Sequence, residues 1–246
     1  MSTRLWHDRA TSIKIDGRAV INGKRVDAVS GATFDNISPV NGRKLTQVAR
    51  CDTADVNAAV IAARAAFDDR RWCGKSPGER KKILLKFAEL LRSNGDELAL
   101  LETLDMGKPI KYSLSVDVPS TARCIQWYAE AIDKVYDEIA PTNDKTLALI
   151  TREPVGVVAA IVPWNYPMIM ASWKIAPALA TGNSVILKPS EKSPLTALRM
   201  ADIALEAGIP AGVFNVLPGY GHEAGSALAL HEDVDCIGFT GSTRVG

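Results

Sequence analysis

An amide, an ammonium and a carboxylate in this sequence are spaced so that a sheet could bring them together: Asn165, Lys188 and Glu191. Val155-Gly-Val-Val-Ala-Ala-Ile-Val162 reads as a buried strand and runs into Pro163-Trp164-Asn165-Tyr166-Pro167. A helix and a second strand follow, the latter Ser184-Val-Ile-Leu-Lys188, closed by Pro189-Ser190-Glu191. If the two strands are parallel neighbours, the three side chains meet on one rim. That is the rim where open α/β sheets bind ligands, and a nucleotide is the first expectation there. Each residue also has a plainer use. Asn165, between two prolines, can satisfy turn backbone. Lys188 and Glu191 can be surface residues leading into a Ser193-Pro194 helix start.

The elements that must position these residues alternate regularly. Strand 155–162, a helix ending at Thr181-Gly182, strand 184–188 and a helix closed by Ala207-Gly208 come first. Strand 213–217, the loop Gly219-Tyr-Gly-His222, a short helix and strand 236–239 follow. This β-α-β-α-β-α-β order predicts a parallel, doubly wound sheet. Upstream the chain reads as mainly helical. Val56, Ala59, Val60, Ala63 and Phe67 repeat at helical spacing. Ser76-Pro77-Gly78-Glu79 offers a capping box with Pro at the first helical position. Asn22-Gly23 marks a two-residue hairpin turn. Further helices are expected through Leu98 to Leu104 and from Thr121 to Val135. A lone strand is expected at 146–151, and the 137–146 region is the best candidate for a boundary.

Composition narrows the class. The 246 residues are 47% hydrophobic and 23% charged, ordinary values for a globular chain able to bury a core. A net charge of +1 leaves no basic footprint for nucleic acid or an anionic membrane. Four cysteines without a Cys-x-x-Cys pair argue against a zinc site or disulfide framework and suit a reducing compartment. Cys236, in an apolar strand, and Cys124, on an amphipathic helix, read as small buried hydrophobes. Met-Ser-Thr-Arg-Leu-Trp-His-Asp carries no apolar signal segment, so a cytoplasmic setting is expected. The stretch 154–173 is uncharged and long enough to span a bilayer, but its three prolines and β-branched first half fit a strand, loop and helix start better. The dinucleotide fingerprint Gly-x-Gly-x-x-Gly is absent: Gly219-x-Gly221-x-x-x-Gly225 has the wrong spacing.

The particular words say more than the pattern. Pro163-Trp164-Asn165-Tyr166-Pro167, Gly182-Asn-Ser-Val-Ile-Leu-Lys-Pro-Ser-Glu191 and Phe239-Thr-Gly-Ser242, in that order, resemble the aldehyde dehydrogenase superfamily. Leu101-Glu-Thr-Leu-Asp-Met-Gly-Lys-Pro109 and the Asn-Gly hairpin match as well, so the resemblance runs from about residue 18 onward. Within the superfamily, Trp127-Tyr-Ala-Glu-Ala-Ile-Asp-Lys-Val-Tyr136 and Gly221-His-Glu-Ala-Gly225 look similar to the γ-glutamyl-γ-aminobutyraldehyde dehydrogenases.

That resemblance implies a Rossmann-type variant of the doubly wound sheet. Residues 1–136 would be the helical part of an NAD-binding domain, 137–153 the first part of an oligomerisation arm, and 154–246 the parallel NAD-binding core. It implies oxidation of an aldehyde, here an amino- or γ-glutamylamino-aldehyde, to a carboxylic acid with NAD⁺, in a homo-dimer or tetramer. Asn165 becomes the oxyanion donor. The cofactor positions are Ile161, Pro163, Trp164, Lys188, Ser190, Glu191, Gly221, Phe239, Gly241 and Ser242. Lys188 and Glu191 would hold the adenosine ribose, and a carboxylate there disfavours a 2′-phosphate. Ser242 and Gly241 would sit at a helix N-terminus against the pyrophosphate; otherwise Ser242 is a helix cap. A structural monovalent cation would take the Ile37 carbonyl, Asp105 and the Lys192 carbonyl, although Asp105 could equally cap its local turn.

The family's nucleophilic Cys and general-base Glu map beyond Gly246. The expectation is a chain truncated before the catalytic domain and inactive by itself. With a sheet edge and an arm left incomplete, it is also expected to associate or dissolve poorly. A competing reading from another class is a non-catalytic product that binds NAD or a partner subunit. A third is an unrelated α/β nucleotide enzyme.

Overall fold

The computed structural model describes residues 3–245. After helix α1 (Thr3–Ser12) come two antiparallel pairs, β1 (Ala19–Ile21) with β2 (Lys24–Val26) and β3 (Thr33–Ile37) with β4 (Lys44–Ala49). Helices α2 (Thr53–Asp68), α3 (Pro77–Ser93) and α4 (Gly95–Met106) follow. The short α5 (Ile110–Tyr112) then leads through a π-helical turn, Ser113–Asp117, into α6 (Val118–Ala131). Strands β5 (Glu138–Ala140) and β6 (Ala148–Ile150) pair only with each other. The remaining elements alternate as expected: β7 (Val157–Ile161), α7 (Pro167–Ala180), β8 (Ser184–Lys188), α8 (Leu195–Ala207), β9 (Phe214–Val216), α9 (Ser226–Ala229) and β10 (Cys236–Phe239).

The sheet order is β10-β7-β8-β9-β1-β2. The first four strands are parallel, as the alternation predicts. The hairpin was legible as a hairpin, with Asn22 at φ 50° and Gly23 at φ 73° making the turn. It joins the same sheet antiparallel to β9, at Val20↔Val216, so the sheet is mixed rather than wholly parallel. The chain moves outward from β7 to β8 to β9 and then returns to β7's other side as β10. The crevice between β7 and β10 is thus the topological switch point.

Side chains alternate across the sheet because Cβ direction alternates along a strand. Ala160, Val185, Leu187 and Val216 face a layer containing α3, α6, α7 and α8. Val157, Ala159 and Ile186 face α2, α9 and the loop after β9. Covered on both sides, β8 is buried at every position, which is why it reads as a nearly continuous apolar run ending in Lys188.

Local chemistry sets the helix ends. The Ser76 hydroxyl accepts from the Glu79 N–H, and the Glu79 carboxylate accepts from the Ser76 N–H at 2.8 Å. Ser76→Ala is expected to lower stability by about 1 kcal/mol in a denaturant titration; no change would remove this cap from the account. Gly107 and Gly208 end α4 and α8 in the left-handed conformation at φ 82° and 105°.

Two expectations are corrected. Cys236 is exposed, not buried, because β10 is an edge strand with one side unpaired. Cys124 is half-buried. At Gly241–Ser242, where a helix start is expected, the described residues form a turn closed by the Val245 N–H on the Ser242 carbonyl at 3.0 Å. Among the described residues no helix is long and apolar enough to cross a membrane.

Candidate functional site

Register builds the site. Phe239 of β10 pairs with Ile161 of β7, and Ile161 pairs with Lys188 of β8, so three side chains stand abreast at the carboxyl ends of neighbouring strands. The loops leaving those ends enclose a cleft of about 610 Å³. Its walls include Ile161, Pro163, Trp164, Asn165, Lys188, Ser190, Glu191, Phe239, Gly241 and Ser242. Every cofactor and oxyanion position expected from the sequence is therefore gathered there except Gly221. Gly221 is exposed and opens a π-helical turn, Gly221–Gly225, outside the cleft.

Asn165 is exposed in the loop between β7 and α7. The loop is tied down elsewhere: the buried Ser193 hydroxyl donates to the Trp164 carbonyl at 3.2 Å, and the Tyr166 carbonyl accepts the first bond of α7. Among the described residues no hydrogen bond occupies the Asn165 side-chain amide. The plainer use, satisfying turn backbone, is not what this amide does. Its N–H groups stay available to a ligand oxygen.

Lys188 is 2% exposed, an unusual position for an ammonium. Burial lowers its pKa, opposed by Glu191, whose carboxylate lies 3.7 Å away. Glu191 remains partly open to solvent and so can accept from a hydroxyl in the cleft. A Cβ at Gly241 would fall 2.3 Å from the tip of the Phe239 ring, so a larger residue there would displace that ring. Phe239 and Trp164 are walls, 39% and 50% exposed, rather than core.

Lys174 and Thr240 were missed by the sequence reading. The Lys174 ammonium donates to the Thr240 hydroxyl at 2.6 Å, beside the same cleft, and burial lowers its pKa. The signal was present: Lys174 is the lone charge in the otherwise apolar α7.

A second cavity of about 380 Å³ shares Trp164, Glu191 and Lys192 with the first. It brings together Ile37, Asp105 and Lys192, the three positions expected around a monovalent cation. Asp105 is 1% exposed and accepts from Asn36 Nδ2 at 2.6 Å and from the Leu195 N–H at 2.8 Å. Burial pushes its carboxyl up to about 7 despite those two bonds. Asn36 Oδ1, buried in the same wall, has no donor. An orphaned acceptor beside a buried carboxylate is the donor set a cation would satisfy.

None of the four cysteines lines the main cleft. Burial pushes the Cys51 and Cys124 thiols up, the reverse of an activated nucleophile.

Comparisons with known proteins show the family. The model of the aldehyde dehydrogenase family matches residues 26–246. The chain is 55% identical over 241 residues to the NADP/NAD-dependent aldehyde dehydrogenase PuuC of Escherichia coli (strain K12), covering 98% of this chain and 49% of that protein. It is 51% identical to the aminoacetaldehyde dehydrogenase of Pseudomonas aeruginosa, covering 96% and 48%. A solved indole-3-acetaldehyde dehydrogenase complexed with NAD⁺ superposes with a TM-score of 0.98 at 62% identity, covering all of this chain and 50% of that one. The chain spans about half the length of the curated relatives it matches. With the family model matching almost end to end and the fold superposing throughout, the chain belongs to the aldehyde dehydrogenase family.

Proposed function

We propose that this chain supplies the NAD-binding half of an aldehyde-oxidising enzyme, with Asn165 as its oxyanion donor. The observation that supports this most is the free Asn165 amide, exposed on the wall of a cleft at the sheet's switch point. NAD⁺, when bound, supplies the acceptor for the hydride that leaves the aldehyde carbon. Everything else asked of these residues is binding and charge placement. Lys188 and Glu191 hold ribose hydroxyls, the one donating and the other accepting. Gly241 and Ser242 offer backbone N–H groups and a hydroxyl to the pyrophosphate. Ile161, Pro163, Trp164 and Phe239 are the apolar walls.

Asn165 acts when a nucleophile adds to the aldehyde and the carbonyl oxygen becomes negative. An N–H held about 3 Å from that oxygen stabilises the charge without reorganisation. The attacking thiolate and the water-activating base come from the remainder of the protein. Asp105, Asn36 and the Ile37 and Lys192 carbonyls hold a monovalent cation in a structural role, neutralising a carboxylate that burial otherwise drives toward its protonated form.

The substrate class we favour is an amino- or γ-glutamylamino-aldehyde, the first resting on the name of the aminoacetaldehyde relative and the second on the motifs at 127–136 and 221–225. We assign the β5–β6 hairpin to subunit contact. Ile139 and Leu149 form a cross-strand pair that is 72% and 61% exposed, an apolar edge that a second subunit would cover. We divide the chain at 1–136, 137–153 and 154–246, and place the protein in the cytoplasm, where four unpaired thiols persist.

The test is NADH formation by the complete gene product with a panel of aldehydes. Aldehyde-dependent reduction of NAD⁺ is expected, and its absence with every aldehyde overturns the reading in favour of a non-catalytic binding role. Cofactor choice gives a finer check. Glu191→Ala removes the carboxylate that repels a 2′-phosphate and is expected to lower the KM for NADP⁺ about tenfold. An unchanged NADP⁺ KM removes Glu191 from the selectivity argument.

A further inference from the structure

Tyr166 follows Asn165 directly and begins α7, yet its side chain makes no capping bond. What meets its ring comes from elsewhere in the chain. Lys108, just past the Gly107 cap of α4, places its ammonium 4.1 Å from the Tyr166 ring centroid. The same ammonium donates to Asp117 Oδ2 at 2.7 Å. Asp117 is fully buried, and the Lys108 side chain is 13% exposed. Asp117 is the buried last residue of the π-helical turn before α6.

The anchor is specific because the neighbouring acid does not compete for it. Glu102 is also fully buried, and neither of its oxygens has a partner. Burial first, and then the charge of Asp117, push the Glu102 carboxyl up to about 8 against the pull of Lys108. The geometry makes the choice: the Lys108 ammonium bonds Asp117 Oδ2 and neither oxygen of Glu102. Lys108 is thereby locked by the core on one side, while the other face of its charge is turned to the Tyr166 ring, itself 44% exposed.

We propose that Lys108, pinned by Asp117, is a strut that holds the Tyr166 ring and so sets the position of the Asn165 loop. Lys108 touches no reacting atom; it is a positioning residue. The consequence for chemistry rests on the aldehyde-oxidising reading above, whereas the mechanical consequence does not. A displacement of about 1 Å at an oriented catalytic group can cost on the order of 100-fold in rate.

The test uses the complete gene product. Lys108→Met alone orphans the buried Asp117 charge and risks unfolding, so the working variant is the double substitution K108M/D117N, which removes both charges. Its crystal structure is expected to show the Tyr166 ring released and the 163–167 loop shifted by about 1 Å or more. Aldehyde oxidation is expected to fall about tenfold or more in kcat. Tyr166→Leu, which keeps the ion pair, should reproduce the kcat loss, and Tyr166→Phe, which keeps the ring face, should restore it. Lys111→Met serves as a control, since Lys111 makes a similar contact with the exposed Tyr112, away from this loop. A loop that stays in place in the double variant overturns the proposal whatever the activity. A kcat loss in Tyr166→Phe equal to that in Tyr166→Leu overturns it too, because the hydroxyl would then be the active part. If the unmodified enzyme oxidises no aldehyde, the functional reading fails separately, and the loop displacement still decides the strut.

Discussion

Replacing Asn165 with Ala in the complete gene product is expected to lower kcat for aldehyde oxidation about 100- to 1,000-fold, the usual cost of deleting one oxyanion donor. That corresponds to about 3–4 kcal/mol of transition-state stabilisation. Stability should barely change, because the side chain is exposed and Ala removes no packed atoms. Affinity for NAD⁺ should also hold, since the proposed role has the amide meet the reacting oxygen and not the adenosine half. The expected signature is thus a fall in kcat without a matching rise in either KM, which marks an interaction made only in the transition state. An unchanged kcat would mean that the free amide serves some other ligand. A parallel loss of stability would mean that Asn165 holds its turn after all.

Trp72→Ala is expected to have the largest effect on folding, about 3–5 kcal/mol by denaturant titration. Trp72 is fully buried, and its indole N–H donates to the Leu179 carbonyl at 2.9 Å. It lies beyond α2 and reaches the last turn of α7, the helix whose other end carries the Asn165 loop. Truncation leaves a large cavity and removes one of two bonds to the Leu179 carbonyl, which still accepts from the Gly182 N–H at 3.1 Å. Trp72→Phe keeps most of the volume and should cost less, chiefly the lost indole hydrogen bond at about 1 kcal/mol. A loss below 1 kcal/mol for the Ala variant would show that this contact does not hold α7.

The site was legible in the sequence to the extent that it depends on strand ends. β7 and β8 announce themselves as short apolar runs, and once they are parallel neighbours their termini must align. Ile161, Lys188 and Phe239 in one row are a consequence of that register. The β3–β4 pair was not legible. Its burial alternates, but an inward position is the polar Asn36, so the apolar/polar pattern that signals a strand is broken where Asn36 donates to the buried Asp105. The hairpin turn at Asn22-Gly23 was clear, while its docking was not. That docking depends on tertiary contacts, including the Asn22 N–H donating to the Asn215 side chain at 2.9 Å. Cys236 misled because an apolar strand reads as buried whether it ends up central or at an edge. Lys108, Asp117 and Tyr166 carry no joint signal, since only the fold brings them into contact.

The central claim is that the cleft at the carboxyl ends of β7, β8 and β10 receives the adenosine half of NAD. The measurement that tests it most directly is a crystal structure of the complete gene product with NAD⁺. The account predicts the adenosine ribose within hydrogen-bond reach of Lys188 Nζ and the Glu191 carboxylate, the pyrophosphate over Gly241 and Ser242, and the Asn165 amide left free. Nucleotide bound elsewhere on the protein, or bound here with Lys188 and Glu191 untouched, would contradict it.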